Sequence, residues 1–512
     1  MSKALVYQVL PRLWKGGRFV DFDEASLAYI RSLGMTHVWY TGVLDHATRL
    51  PGYENASPEC VKGTAGSPYS IRDYYGVAPY LGTMEEFSEL VARTHAAGLK
   101  VIIDFVPNHV ARENVNFGGC DDRSVHWAPE NDFYYYPGEH LRLPSAGATH
   151  TEAVGTSAAG VATAAEASYD EFPARASGNC FSPAPDVNDW WDTVRLNYCD
   201  FHTGTWDKML AVLRFWLAKG VDGFRCDMVE MVPWQFLQWL IAAVKAEFPS
   251  TLFIAEAYNT DTYRHYLETV GFDLLYDKCG LYDTLRAVTC EGASARGITR
   301  NWQMLQDLQP RMLNFLENHD EQRVASPQFA GSPEAGYAAL AVSAMLTDAP
   351  FMLYFAQEWG EKGGADGRTS IFEIAPPAAM VLQVLQTDGG PGAKTAPNAT
   401  SPPAARRTCN TFARYTETLR LAKALEGTPT YDLCWCQGEG FDNDRHLSFD
   451  PDRHFAWLRG STLLVANFGD EHAEITVRIP KEARRVDSRE PGNDVISVTV
   501  PPKDYVALDL QK

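Results

Sequence analysis

Four short stretches bring acidic, imidazole and guanidinium side chains in directly behind apolar runs: Asp104-Phe105-Val106-Pro107-Asn108-His109, Gly223-Phe224-Arg225-Cys226-Asp227, Ile254-Ala255-Glu256 and Glu317-Asn318-His319-Asp320. In the second, Arg225 and Asp227 alternate, so a strand carries both on one face while Phe224 and Cys226 turn the other way. A guanidinium beside a carboxylate keeps it ionised and oriented, which suits a nucleophile. A carboxyl held near negative charge keeps its proton to higher pH, which suits a general acid. Two such carboxyls about 5–5.5 Å apart can cleave a glycosidic bond with retention of configuration. Asp227, Glu256 and Asp320 could converge in this way, and His109 and His319 can hydrogen-bond sugar hydroxyls.

Each residue alone has a plainer structural reading. Arg225 and Asp227 could be a buried ion pair, and Asp104 or Glu256 a satisfied polar group at a strand end. Tyr69 could be a packing ring, and adjacent Trp190 and Trp191 read as core of their segment. Chemistry is favoured by the order, because independent accidents would not place four such motifs, in order, each behind an apolar run.

For these side chains to meet, their backbones must reach a common rim. Residues 4–10 read as a strand, 23–33 as an amphipathic helix closed by Gly34, and 36–44 as a second strand. Helix 83–97 opens with Thr83 and Glu86 in capping-box spacing and closes at Gly98, and strand three runs from Lys100 into Asp104. Helix 206–218 resumes the rhythm, followed by strands at 221–227, 251–256, 272–277, 311–317 and 350–356, with helices near 234–247, 261–269, 297–308 and 334–346. The pattern predicts an α/β fold, a (β/α)8 TIM barrel, with the polar residues at the carboxyl ends of its strands, where such barrels act.

Two composition shifts interrupt it. Residues 110–203, rich in aromatics, Gly, Pro and Asn, are too long for an ordinary connection and predict a subdomain inserted after strand 3, including an Ala/Gly/Ser/Thr-rich tract at 145–168. A Pro/Gly/Ala/Thr-rich stretch at 376–405 precedes a helix at 411–425, and short alternating runs from 455 to 509 predict a C-terminal antiparallel β domain. The expected division is 1–109 barrel first part, 110–203 inserted domain, 204–425 barrel second part and 426–512 β domain.

A formal charge of -20 over 512 residues, with no basic stripe, argues against a nucleic-acid partner. No apolar run long enough for a membrane span is present, and the N-terminus reads as a first strand rather than a signal peptide, so a cytoplasmic location is expected. The ten cysteines form no disulfide framework and read as reduced thiols, Cys226 as a packed one.

The four stretches, in this order and spacing, resemble the ordered motifs of the α-amylase family, glycoside hydrolase family 13. Tyr69-Ser70-Ile71-Arg72-Asp73-Tyr74, Pro185-Asp186-Val187-Asn188 and Phe355-Ala356-Gln357-Glu358-Trp359-Gly360 add to the likeness, which spans about residues 7 to 375. The resemblance implies a retaining hydrolase acting on α-1,4-glucosidic bonds of starch-type glucans or maltooligosaccharides. Asp227 would be nucleophile, Glu256 acid/base and Asp320 transition-state stabiliser. His109, Arg225 and His319 would bind the reacting sugar, Tyr69 would stack under it, and Asp104 would support the site. Where many α-amylases carry Lys-His shortly past the nucleophile, this chain has Met228-Val229-Glu230, a position the family uses in acceptor subsites and near a structural calcium. Calcium is expected with Asn108 as a ligand, although a set of six to eight oxygens cannot be assembled from sequence. The alternatives are glycosyl transfer by the same residues and a non-catalytic relative, which would carry degraded motifs and a membrane helix.

Overall fold

A computed structural model describes residues 3–144, 169–199, 204–373, 403–434, 448–479 and 495–511. The tract at 145–168 and most of the 376–405 stretch lie outside these. Strands β1 (Leu5–Val9), β2 (His37–Tyr40), β3 (Lys100–Phe105), β4 (Gly223–Cys226), β5 (Leu252–Ala255), β6 (Leu274–Tyr276), β7 (Met312–Phe315) and β8 (Phe351–Tyr354) close into a barrel, each beside its sequence neighbour and β8 beside β1. All pairings are parallel, so every strand ends on the same rim. Register puts Arg225 of β4 level with Asp104 of β3 and Ile254 of β5.

Local sequence explains the outer layer. Helix α1 (Glu24–Ser32) follows β1, and helix α2 (Met84–Ala96) begins with the expected capping box: Glu86 N donates to Thr83 Oγ1 at 3.2 Å and Thr83 N to Glu86 Oε2 at 2.7 Å. Helix α3 (Gly204–Ala218) buries Trp206, Met209, Leu210, Leu213 and Trp216, the spacing of one helical face, and Trp216 Nε1 donates to the Tyr74 carbonyl at 2.7 Å. Glycine is required where β4 begins, because a Cβ on Gly223 would lie 2.7 Å from the Leu252 carbonyl oxygen.

Between β3 and α3, short antiparallel pairs carry the chain: His109–Ala111 with Thr193–Arg195, and Tyr135–Tyr136 with Ala174–Arg175. Beyond the barrel, Thr430–Asp432, His454–Arg459, Thr462–Asn467 and Tyr505–Asp509 form an antiparallel sheet, and Ala473–Arg478 pairs with Val495–Val500. This sheet docks on the barrel through Trp457 Nε1 and Arg459 Nη1, which donate to the Met345 carbonyl at 3.1 and 3.0 Å.

Several elements differ from the sequence expectation, among them the antiparallel pair Leu44–His46 with Ile71–Val77. The helix expected at 261–269 is a short 3-10 turn and a wide π-type turn, His265–Val270, ended by Gly271 at φ 98°. A helix at Asp283–Cys290 and the edge strand Thr430–Asp432 were not expected. Both are short and take their stability from packing rather than from a long periodic run. No helix among the described residues is long and apolar enough to cross a membrane.

Candidate active site

The backbone fixes the carboxylates before any side-chain contact is made. Asp227 N donates to the Phe105 carbonyl at 2.9 Å and Glu256 N to the Cys226 carbonyl at 3.1 Å, so each acid stands one step past its strand on the rungs of the barrel ladder. Between them lies Arg225, completely buried. Its Nη1 is 2.6 Å from Asp227 Oδ1 and its Nη2 is 2.8 Å from Glu256 Oε2. Arg225 Nη1 also lies 3.9 Å from Asp104 Oδ1. The rings of Trp39, Tyr69 and Tyr276 stand 5.3–5.5 Å from the guanidinium carbon, close enough for cation–π attraction in a site shielded from water.

Opposite, His319 Nδ1 is 2.8 Å from Gln8 Nε2, and Nε2 is 2.5 Å from the Tyr69 hydroxyl and 3.1 Å from Asp320 Oδ2. Tyr69 stacks on His319 with centroids 5.3 Å apart, and its hydroxyl donates to Asp104 Oδ1 at 3.4 Å. Asp104 Oδ2 accepts from Gly42 N at 3.2 Å.

Burial dominates the electrostatics. It raises the Asp227 carboxyl against the opposing pull of Arg225. It also raises Glu256, where the Asp227 charge adds to the rise and Arg225 opposes it. Asp320 is raised by burial and by Glu256, while 40 % of its side chain faces the cavity, where pocket water screens the rise. Asp104 is pushed up to about 7 by burial. His109 is held down to about 4 and His319 well below its usual value, both mainly by burial. Both imidazoles are therefore neutral hydrogen-bonders at physiological pH.

A cavity of about 330 Å³ opens above this floor, and its walls include Tyr69, His109, Asp227, Glu256, His319 and Asp320. Six of the residues singled out from sequence thus meet at one surface. Asp104, Arg225 and Asn108 do not reach it. Arg225 lies beneath the floor and acts on the carboxylates above rather than facing the cavity, and Asp104 lies beside it, held by Tyr69 and Gly42. Trp190 and Trp191 are only partly buried, because the His109–Arg195 pairing lays their segment along the rim. Trp190 lines the cavity and packs on His109 at 5.1 Å. Further wall residues that sequence reasoning missed are Lys62, Tyr258, Asp366 and Arg368. Lys62 pairs with buried Asp192 at 3.1 Å. Tyr258, two residues past Glu256, could have been suspected from that spacing, since its hydroxyl donates to Glu256 Oε1 at 2.5 Å. The other three sit on loops without a local signal.

The surroundings of Asn108 do not fit calcium. Asn108 Nδ2 donates to the Gly178 carbonyl at 3.0 Å, and the charged group at that carbonyl is a cation, Arg195, with Nη1 at 3.4 Å. A hard cation takes six to eight oxygens, commonly with carboxylates among them. Among the described residues no cluster of three or more His, Cys, Asp or Glu side chains could hold a metal ion.

Comparison with known proteins agrees with the fold. The family described as alpha amylase, catalytic domain, matches residues 24–169. The oligo-1,6-glucosidase of Halalkalibacterium halodurans is 28 % identical over 238 residues, 45 % of this chain and 35 % of that protein. The α-glucosidase of Candida albicans is 27 % identical over 422 residues, 70 % of this chain and 66 % of that protein. The matches therefore span from about a third to just under two thirds of these relatives. In fold, the maltogenic α-amylase AmyB of Thermotoga neapolitana superimposes with a TM-score of 0.61 at 20 % identity, covering 99 % of this chain and 96 % of that one. The fold is a closed (β/α)8 barrel, the architecture shared with this amylase structure. Over residues 24–169 the chain is similar to the α-amylase family, glycoside hydrolase family 13.

Proposed function

We propose that the protein is a retaining glycoside hydrolase that cleaves α-1,4-glucosidic bonds in short starch-type glucans and maltooligosaccharides. The observation that carries this reading is the shared guanidinium: Arg225 holds Asp227 at 2.6 Å and Glu256 at 2.8 Å below one cavity. In the first step an Asp227 carboxylate oxygen bonds to the anomeric carbon as the bond to the glycosidic oxygen breaks. Glu256 gives its proton to that departing oxygen. In the second step Glu256, now a carboxylate, takes a proton from water, whose oxygen displaces Asp227 from the anomeric carbon and restores both groups. Asp320, facing the cavity beside neutral His319, stabilises the positive charge that develops on the sugar ring. Tyr69 offers its face to that ring, and His109 and His319 its hydrogen bonds.

A cavity of about 330 Å³ lies at the small end of the range for ligand sites, roughly 300–1,000 Å³, which supports a short chain end as substrate. The names of similar proteins, oligo-1,6-glucosidase and α-glucosidase, favour a second reading in which α-1,6 bonds are cut. Purified protein incubated with maltotriose, maltoheptaose and isomaltose separates these readings. Faster release of glucose or maltose from the α-1,4 substrates supports the first, and preference for isomaltose the second. Products longer than maltoheptaose mean transfer rather than hydrolysis. Asp227→Asn keeps the volume and removes the nucleophile, so turnover is abolished with the fold intact. Near-wild-type activity in that variant overturns the assignment.

A further inference from the structure

The three residues that depart from the α-amylase pattern, Met228-Val229-Glu230, grip the acid/base from two sides. Met228 is in the left-handed region at φ 45°, where a side chain is disfavoured, and its N–H donates to Glu256 Oε2 at 2.9 Å. The Glu230 carboxylate accepts from Tyr258 N at 2.9 Å and Asn259 N at 3.0 Å, and so holds the loop whose Tyr258 hydroxyl donates to the other Glu256 oxygen. The turn closes with Met231 N donating to the Met228 carbonyl at 3.0 Å. At its outer end Arg195 Nη2 donates to the Met231 carbonyl at 3.1 Å, and Asn108 Nδ2 lies 3.9 Å from Met231 Sδ.

Arg195 belongs to the excursion after β3, where its backbone pairs with His109. Its other nitrogen reaches the Gly178 carbonyl at 3.4 Å, the same oxygen that Asn108 Nδ2 contacts at 3.0 Å. Its guanidinium carbon lies 4.8 Å from the Phe181 ring centroid. One fixed cation thus joins a carbonyl of the excursion to a carbonyl of the β4 turn, beside the residue expected to ligate calcium.

We infer that Arg195 is a positioning residue: its guanidinium clamps the excursion to the Met228–Met231 turn in place of a metal ion, and through that turn it fixes the acid/base Glu256. The role at Glu256 rests on the proposed hydrolase reading, whereas the metal-free clamp does not. A planar fork suits two carbonyls as a hydrated ammonium does not, and a misplacement of about 1 Å can cost on the order of 10²-fold in rate.

Two measurements test the clamp. Thermal unfolding of the wild type is followed after EDTA treatment and after adding 1 mM CaCl2 as a probe concentration on the order used for hard-cation sites, and the same midpoint in both is expected. A midpoint that falls with EDTA and returns with calcium overturns the metal-free clamp. Kinetics of Arg195→Ala and Arg195→Lys are then compared on maltotriose and on 4-nitrophenyl α-glucoside, whose leaving group needs little protonation. In Arg195→Ala, kcat on maltotriose is expected to fall on the order of 10- to 10²-fold, with KM little changed and a much smaller loss on the aryl glucoside. Arg195→Lys should recover part of the loss, and it carries the comparison alone if the alanine variant does not fold. Equal losses on both substrates, or none, overturn the link to Glu256. Should the wild type cleave no glucoside, the hydrolase reading fails while the unfolding arm still decides the clamp.

Discussion

At the scale of single residues, burial sets the chemistry and hydrogen bonds adjust it. Tyr258 donates to Glu256 Oε1 at 2.5 Å, which favours the carboxylate and opposes the rise that burial and Asp227 impose. The proposed mechanism requires Glu256 protonated and Asp227 ionised, so activity is expected to fall on the alkaline side as Glu256 loses its proton. Tyr258→Phe removes the donor, and the alkaline limb of the kcat/KM profile is expected to move to higher pH; a shift to lower pH contradicts this account. Asp104 gives a complementary prediction in stability. Its carboxyl is pushed up to about 7 by burial, against about 3.9 in an unfolded chain. Between those values the folded protein holds a proton that the unfolded chain has released. The stabilisation is full below about 4 and is lost as pH rises through about 7. Asp104→Asn has no proton to lose, so its Tm relative to wild type is expected to rise between pH 5 and pH 8. A gap that narrows over that range would refute the shift.

At the scale of elements, the strands aim the residues. Arg225, Asp227, Glu256 and Asp320 were legible in sequence because each follows an apolar run long enough to mark a strand and its polar end. Parallel closure then brings those ends to one rim. Tyr258, Lys62 and Arg368 were not, since they reach the cavity from loops whose course depends on tertiary packing. Trp190 was misread as core because an aromatic in a loop carries no period to say which way it faces. The wide turn at His265–Val270 escaped for a similar reason, as its composition suits a regular helix and Gly271 alone marks the change. Element packing also carries a prediction at Gly223, where an added Cβ would meet backbone 2.7 Å away. Gly223→Ala is expected to force β4 from β5 and destabilise the fold by about 1–3 kcal/mol. The measurement is urea unfolding, and an unchanged midpoint would show that the strands have room to yield.

At the scale of the whole molecule, two assemblies meet around one charge and a third braces the barrel. The barrel supplies Arg225 and the carboxylates, the excursion after β3 supplies the rim with Trp190 and Arg195, and the C-terminal sheet closes the far side through Trp457 and Arg459. The sheet stands away from the cavity walls, so its contribution is to hold the barrel rather than to touch substrate. The division of labour makes the central claim a covalent one: Asp227, oriented by Arg225, carries the sugar midway through turnover. The most direct measurement is the mass of the protein after incubation with 5-fluoro-α-glucosyl fluoride, a substrate whose intermediate breaks down slowly, followed by peptide mapping. The expected result is a gain of one fluoroglucosyl unit on the peptide containing Asp227, absent in Asp227→Asn. Attachment to any other residue, or rapid turnover whose first product has inverted configuration, would contradict the account.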